Sequence, residues 1–514
     1  MQPSAAMTRQ RQIRGFVIAW LGITLLMGAL TFAGIYYATG LTDNEGDDTN
    51  VAVLPNPQIN AAAVAPLGDQ FDLSQIETTP VPTADAAAVA VADVGEPDAQ
   101  AEALASGDEA APGQDVADGQ GGGPAEQASV ADTGGQSQPA GAQQATPVPT
   151  ITPLPVDNTA FQVGIQVQPN PDASVYTLWM GEVSDKLKLG WIKQQVEWKF
   201  VEPQPGQYDW SLLDVPLDLA HERNIKVMLS VLAAPDWALE PGVQLVEDEE
   251  GPPADPQVFA NFLVTLLYRY PGKIHAIEVW NEQNLDREWQ SASGLSAQNY
   301  VNMLRASYTA IKSVDPGIIV ISGALSPATT WADGSAIDDF TYMEQMIQAG
   351  MLDTADCVGA HHNGYNIGPG VPFNNVPNDP TAVFRGPFDN QHHSWSFYST
   401  LQGYAQRIQQ AGSDKKLCIT EFGWASAEGL GGYPPGFEFA TDNTLAEQAQ
   451  FFDEAIQLME SWGFVWIAWV WNLNYGPQAG WDPSNDNVPY SLIRPNYLNS
   501  PAYDVIAQYD FRGR

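Results

Sequence analysis

Residues 156–514 are predicted to form an α/β domain, a (β/α)8 barrel, preceded by one transmembrane helix and a disordered linker. Three observations predict this. Fifteen of the 16 tryptophans and both cysteines lie beyond Phe161, so core-forming residues are confined to one block. Within that block short apolar runs alternate with longer helical stretches, the pattern of parallel βαβ units. Several short runs are apolar on both faces, as in Val227-Met228-Leu229-Ser230-Val231-Leu232. A sheet covered by helices requires such strands.

The segments follow in order. Residues 1–14 carry Arg9, Arg11 and Arg14 and no acid. Gly15 to Ala38 is a run of 24 residues without a charge. About 20 apolar residues span a hydrocarbon core as a helix. Trp20 near one end, and Tyr36 and Tyr37 near the other, suit the two interfaces. The arginines before the run, and Asp43, Glu45, Asp47 and Asp48 after it, place 1–14 in the cytoplasm and the rest outside. A cleaved signal peptide would have a shorter apolar region, so residues 15–38 are expected to be an uncleaved, single-pass signal anchor in the cell membrane. Residues 39–155 are rich in Ala, Gly, Pro and Asp, with Phe71 the one aromatic. Such a segment cannot offset its ordering entropy by burial. It reads as a spacer between membrane and folded domain.

The net charge of −40 divides along the same lines: +3 before the apolar run, −18 in the spacer and −25 in residues 156–514. A surface this acidic disfavours nucleic acid, which is held through clustered Lys and Arg. It also disfavours anionic polymers.

In the barrel, strands are expected at 161–168, 188–198, 225–232, 274–281, 317–323, 356–361, 416–421 and 464–471. Helices are expected near 211–223, 256–270, 296–313, 336–350, 395–411 and 444–461. In this architecture chemistry sits at the C-terminal ends of the strands. Two strand ends stand out there. The fourth runs Ile277-Glu278-Val279-Trp280-Asn281-Glu282, and the seventh Cys418-Ile419-Thr420-Glu421-Phe422-Gly423-Trp424. Each places a glutamate where an apolar strand meets the mouth, half desolvated, which is costly without a task or partner. Two carboxylates from opposite sides of a barrel can flank one bond of a ligand.

These motifs resemble the strand-four and strand-seven signatures of clan A retaining glycoside hydrolases, in particular the family 5 cellulase-like and family 39 xylosidase-like members. Trp191 to Trp198 followed by Glu202-Pro203-Gln204-Pro205-Gly206 resembles strand two and its loop in the same clan. The resemblance implies that Glu282 is the general acid/base and Glu421, 139 residues later, the nucleophile. Glu282 would then have to stay protonated near neutral pH, raised by burial and by an ionised Glu421. It further implies that Asn281 bonds a sugar 2-hydroxyl and that His361 lines the sugar site. Asn363 stands where many relatives have a tyrosine, and Tyr365 is the substitute the sequence offers. Lys193, in a position often basic in relatives, would support Glu421.

Flat indole rings suit the apolar faces of sugars. Trp471 is the expected floor of the sugar site, with Trp289 and Trp424, and also Trp198 and Trp237, as rim platforms. Glu278 shares strand parity with Glu282 and is expected in a structural ion pair or hydrogen bond. His361 and His362 point to opposite faces of a strand and so do not ligate one metal together. His392 and His393 read as surface residues in a loop, and no metal or cofactor is expected. By strand parity Cys357 and Cys418 point apart, so two free, buried thiols are expected. The whole reads as a membrane-tethered, extracellular hydrolase of a carbohydrate, most simply a neutral β-linked glycan. A sugar-binding barrel without catalysis and a transglycosylase are the alternatives. Oligomeric state is not legible.

Overall fold

The computed structural model describes residues 153–246, 249–382 and 391–512. The expected anchor, 15–38, and nearly all of the expected linker, 39–155, lie outside these residues. Among the described residues no helix is long and apolar enough to cross a membrane.

Eight parallel strands build the domain: β1 (Gln162–Gln166), β2 (Trp191–Glu197), β3 (Lys226–Leu232), β4 (Ala276–Val279), β5 (Ile319–Ser322), β6 (Val358–Gly364), β7 (Leu417–Trp424) and β8 (Val465–Val470). They are hydrogen-bonded in the order β5-β4-β3-β2-β1-β8-β7-β6. Parallel bridges Ile321↔Cys357 and Leu325↔Ala360 join β5 to β6, so the sheet curls into a nearly closed barrel. Seven helices alternate with the strands: α1 (Ala173–Gly181), α2 (Ser211–Glu222), α3 (Pro256–Arg269), α4 (Ala297–Val314), α5 (Asp339–Gln348), α6 (Phe397–Gln410) and α7 (Leu445–Trp462). A short α8 (Pro501–Ile506) packs beside α7.

Local sequence explains where helices start. Asp172, Asp255, Ser296, Asp338 and Ser396 each accept a backbone N–H of the first turn. Thr444 and Glu447 form a reciprocal capping box at α7. Such caps satisfy donors the helix itself leaves unpaired. The sequence reading missed α1, because the helix buries only Tyr176 and Met180 and leaves Leu178 exposed.

The barrel interior is layered. Its lower layer is apolar: Trp191, Met228, Ala276, Ile321, Ile467 and Trp469. Gly164 of β1 is required there. A Cβ at that position would lie 2.6 Å from the Trp469 ring and 2.7 Å from Trp191 Cβ. Residues 154–157 cap the lower opening. Leu154 N donates to His275 Nε2 at 3.3 Å, and Trp466 Nε1 donates to Asp157 O at 3.0 Å. Above this layer the interior turns polar and charged.

The cysteines correct the sequence reading. Cys357 and Cys418 form a disulfide, with Cα atoms 5.8 Å apart, inside the lower layer. Strand parity had placed Cys418 opposite Glu421. The count fails because β7 bulges: Ala360 pairs with Ile419, but His361 pairs with Glu421, leaving Thr420 as an extra residue. An extra residue reverses the facing of everything before it. Cys418 therefore points into the barrel, as Glu421 does.

Candidate active site

The upper interior is built from side chains of β2, β4, β6 and β7; on β2 and β4 they lie two residues beyond Trp191 and Ala276 of the lower layer. Lys193 of β2 is fully buried and donates to Glu421 Oε1 at 2.8 Å. Its Nζ also lies 3.7 Å from Glu278 Oε2. Glu278 Oε1 accepts from Thr420 Oγ1 at 2.6 Å and from Ala324 N at 3.2 Å. The bulge thus turns both Thr420 and Glu421 inward. Thr420 holds the structural carboxylate, and Glu421, 6 % exposed, faces the mouth.

Beyond β4 the backbone twists sharply. Trp280 has φ 74° and Glu282 φ 41°, left-handed values that side chains other than glycine seldom adopt. Hydrogen bonds hold this turn: Glu282 N to Ala324 O at 2.9 Å and Trp280 Nε1 to Glu288 O at 2.8 Å. Strain of this kind persists where the surroundings fix it, commonly at functional sites.

His361 of β6 stands between the two carboxylates. Its Nδ1 lies 3.0 Å from Glu282 Oε1 and its Nε2 3.7 Å from Glu421 Oε1. Arg287 donates to Glu282 Oε2 at 3.1 Å. Burial opposes ionisation of Glu282, but the hydrogen bond and charge of His361, with a further contribution from Arg287, hold its carboxyl down at about 2. Burial opposes protonation of His361 in turn, yet the charge of Glu421 and the bond to Glu282 raise it above the ordinary imidazole range. The sequence reading expected Glu282 itself to be raised; it did not foresee the histidine bond. Arg287 is more than half exposed, so solvent screens its share and His361 dominates. The neighbouring Glu288, which accepts from Asn281 Nδ2 at 3.3 Å, is pushed up to about 7 by burial and by the charge of Glu282.

The other expected residues divide. Asn281, His361, Tyr365 and Trp471 gather at the mouth. Trp471, 8 % exposed, clusters with Phe439 and Tyr490 and lies 5.8 Å from Lys193 Nζ. Asn363 Nδ2 reaches Glu421 Oε2 at 3.4 Å, so Asn363 occupies the place beside that carboxylate. Tyr365 instead packs against Phe439, ring centroids 5.0 Å apart, and lines a cavity of about 290 Å³ together with His361, Asn363, Phe437 and Tyr490. Trp424 and Trp289 do not fit the rim role expected of them. Trp424 is fully buried among Phe397, Phe451 and Phe452, and Trp289 packs edge-on against Trp280 and Tyr300. Trp198 is likewise buried, against Phe262 and Trp237. An indole whose faces are covered by the core cannot receive a sugar.

Sequence reasoning missed Arg287, Phe437, Phe439 and Tyr490. Arg287 was visible five residues after Glu282, but nothing local announced a contact. The aromatics lie in segments 425–443 and 472–500, whose Gly, Pro, Asn and aromatic content marked long loops without giving their shape.

A family model described as beta-galactosidase matches residues 182–252. A search of curated proteins found no match. Among solved structures, a family 39 glycoside hydrolase from the gut symbiont Bacteroides cellulosilyticus WH2 aligns at 17 % identity with a TM-score of 0.47, over 68 % of this chain and 63 % of that one. Xylanase 10B from Thermotoga petrophila RKU-1, in complex with xylobiose, aligns at 15 % identity and TM-score 0.45, over 68 % of this chain and 93 % of that one. An exo-beta-1,4-mannosidase from Opitutaceae bacterium strain TAV5 aligns at 16 % identity and TM-score 0.43, over 68 % and 59 %. This chain therefore spans less than two thirds of the length of the first and third of these structures. The family model and these structures belong to clan A glycoside hydrolases with a (β/α)8 barrel.

Proposed function

We propose that residues 156–514 form a retaining glycoside hydrolase in which Glu421 is the nucleophile and Glu282 the general acid/base. One observation carries this reading: carboxylates from β7 and from the turn after β4 face each other across His361, beside an aromatic-lined cavity. That is the pair that double displacement at an anomeric carbon needs. Lys193 holds one oxygen of Glu421 and Asn363 approaches the other. Its attack forms a glycosyl ester as the leaving oxygen takes a proton from Glu282. Water, deprotonated by Glu282, then cleaves the ester and restores Glu421.

The proton for the first step belongs to the Glu282–His361 pair. In the open site it rests on the histidine. A glycosidic oxygen seated against Glu282, with Arg287 displaced toward solvent, favours its transfer across the 3.0 Å contact to the carboxyl. Asn281 is proposed to bond the sugar 2-hydroxyl through its amide. Its Oδ1 is buried without a hydrogen-bond partner among the described residues. Trp471 supplies an apolar floor.

The proposed substrate is a neutral, β-linked glycan, because the barrel block carries −25. The proposed location is outside the cell, tethered by residues 15–38 through the 39–155 spacer. A buried disulfide supports an oxidising compartment. No cofactor takes part in this chemistry.

The test is a screen of neutral aryl β-glycosides and β-linked polysaccharides with the full chain, followed by Glu421→Ala and Glu282→Ala. Loss of turnover in both variants is expected. Undiminished hydrolysis of the best substrate by either variant rejects the assignment.

A further inference from the structure

Both carboxylate oxygens of Glu282 are engaged. Oε1 lies 3.0 Å from His361 Nδ1, and Oε2 accepts from Arg287 Nη2 at 3.1 Å. A carboxyl that is to meet a glycosidic oxygen needs one of them released. The backbone of Arg287 is pinned. Its carbonyl accepts from Glu250 N at 2.6 Å, and its neighbours are tied by Asp286 N to Ser335 O at 2.9 Å and Glu288 N to Leu285 O at 3.2 Å. The Arg287 side chain, 59 % exposed, is the part able to move.

A second carboxylate already stands beside it. Arg287 Nε lies 3.5 Å from Glu288 Oε1, and Glu288 Oε2 accepts from Asn281 Nδ2 at 3.3 Å. Glu288 thus meets both the arginine that occupies the acid and the asparagine proposed for the sugar 2-hydroxyl. The sequence reading gave Glu288 no role.

We propose that Glu288 is a positioning residue for the acid step: it takes over the Arg287 guanidinium when Glu282 gains its proton, and so frees Glu282 Oε2 for the leaving oxygen.

Electrostatics supplies the reason. Two neighbouring carboxylates withdrawn from water resist carrying two charges at once. In the open site Glu282 holds the charge, and Arg287 sits nearer to it, at 3.1 Å against 3.5 Å. Burial and that charge push Glu288 up to about 7, against the opposing pull of Arg287 and the Asn281 bond, while Glu250 adds to the rise. When the proton of His361 passes to Glu282, the charge that kept Glu288 protonated is gone. Glu288 then loses its own proton to water and offers Arg287 a charge-assisted pair. The guanidinium has donors enough to turn from one carboxylate to the other without breaking both contacts at once. The remaining charges around the pair are Glu250, itself held by Lys199 at 2.6 Å, and Asp486 in the loop after β8, which favours the charged form of Arg287.

This inference rests on the hydrolase reading, and its test separates the two. The measurement is kcat/KM of the full chain, which reports the acid-assisted first step, on an unactivated β-glycoside and on a dinitrophenyl β-glycoside of the same sugar. Glu288→Gln keeps the size of the side chain and an acceptor for Asn281 but cannot carry the charge. It is expected to lower kcat/KM about tenfold or more on the unactivated substrate, the worth of one charge-assisted hydrogen bond, and less than about twofold on the dinitrophenyl one, whose phenol departs without a proton. In an Arg287→Gln background, Glu288→Gln should add less than about twofold on either substrate, because the coupling between the two residues is already lost. Should Glu288→Gln fail to fold by circular dichroism, Glu288→Met serves in its place. Equal losses on both substrates, or the full loss persisting without Arg287, would give Glu288 a structural role and overturn the inference while leaving Glu282 and Glu421 in theirs. Undiminished turnover in Glu282→Ala overturns the acid assignment and this inference with it.

Discussion

Lys193 Nζ lies 2.8 Å from Glu421 Oε1 and 3.7 Å from Glu278 Oε2, with all three side chains withdrawn from water. One buried cation thus serves two buried carboxylates. Glu278 has its own hydrogen bonds from Thr420 and Ala324, so it acts as a fixed counter-charge. Glu421 keeps an oxygen toward the mouth.

Removing that cation should be costly. Breaking a buried ion pair by deleting one partner typically costs about 3–5 kcal/mol. Lys193→Met is expected to lower unfolding free energy by roughly that amount, read by urea denaturation. Adding Glu278→Gln to the same chain should recover part of the loss, because one of the two stranded charges is gone. No recovery would mean that the two carboxylates do not share the lysine.

The disulfide is a second stability prediction. Cys357 and Cys418 are 61 residues apart in sequence. In the chain-entropy model, closing such a loop stabilises by about 4 kcal/mol, and native disulfides commonly give about 2–4. Cys357→Ala/Cys418→Ala should lose an amount in this range. Alkylation under denaturing conditions should label neither wild-type cysteine until reductant is added.

The Glu282–His361 pair predicts a pH signature. Glu282 is depressed from 4.5 to about 2, so its share of stability is present above 4.5 and fades as pH falls toward 2. His361 is raised from 6.5, so its share is present below 6.5 and fades as pH rises through its folded value. Both shares are complete only between about 4.5 and 6.5. The stability difference between wild type and His361→Asn should peak in that window and narrow on both sides. A difference flat in pH would show that the pair is not charged in the folded protein.

Glu282 should matter according to the leaving group. General acid catalysis contributes about 10²–10⁴-fold. Glu282→Gln should lower kcat in that range on an unactivated β-glycoside. The loss should be smaller on an aryl glycoside whose phenol departs without a proton. Equal losses on both substrates would point to a structural role for Glu282.

Much of this arrangement was legible in the sequence, and the reasons differ by residue. The eight strands and six of the helices follow from apolar runs and their spacing, because periodicity reports burial directly. Glu282 and Glu421 stood out as carboxylates where strands give way to loops. Glu278 follows from strand parity on β4, whereas Lys193 follows from its match to a position often basic in relatives. Parity failed on β7, where one extra residue reversed Cys418 and hid the disulfide. Trp289 and Trp424 illustrate another limit. The rings that cover them come from other elements, Tyr300 from α4 and Phe397 from α6, so in sequence an indole in the core and one at a rim look alike. The protonation of Glu282 was misjudged for a similar reason: its decisive partner, His361, arrives from another strand.

The stereochemistry of cleavage tests the central claim most directly. On the neutral β-glycoside that the full chain cleaves fastest, proton NMR should detect the anomer released before mutarotation. The proposed double displacement through Glu421 predicts a β product first, with the α anomer appearing only later. An α product released first would mean inversion, and would contradict the assignment of Glu421 as nucleophile.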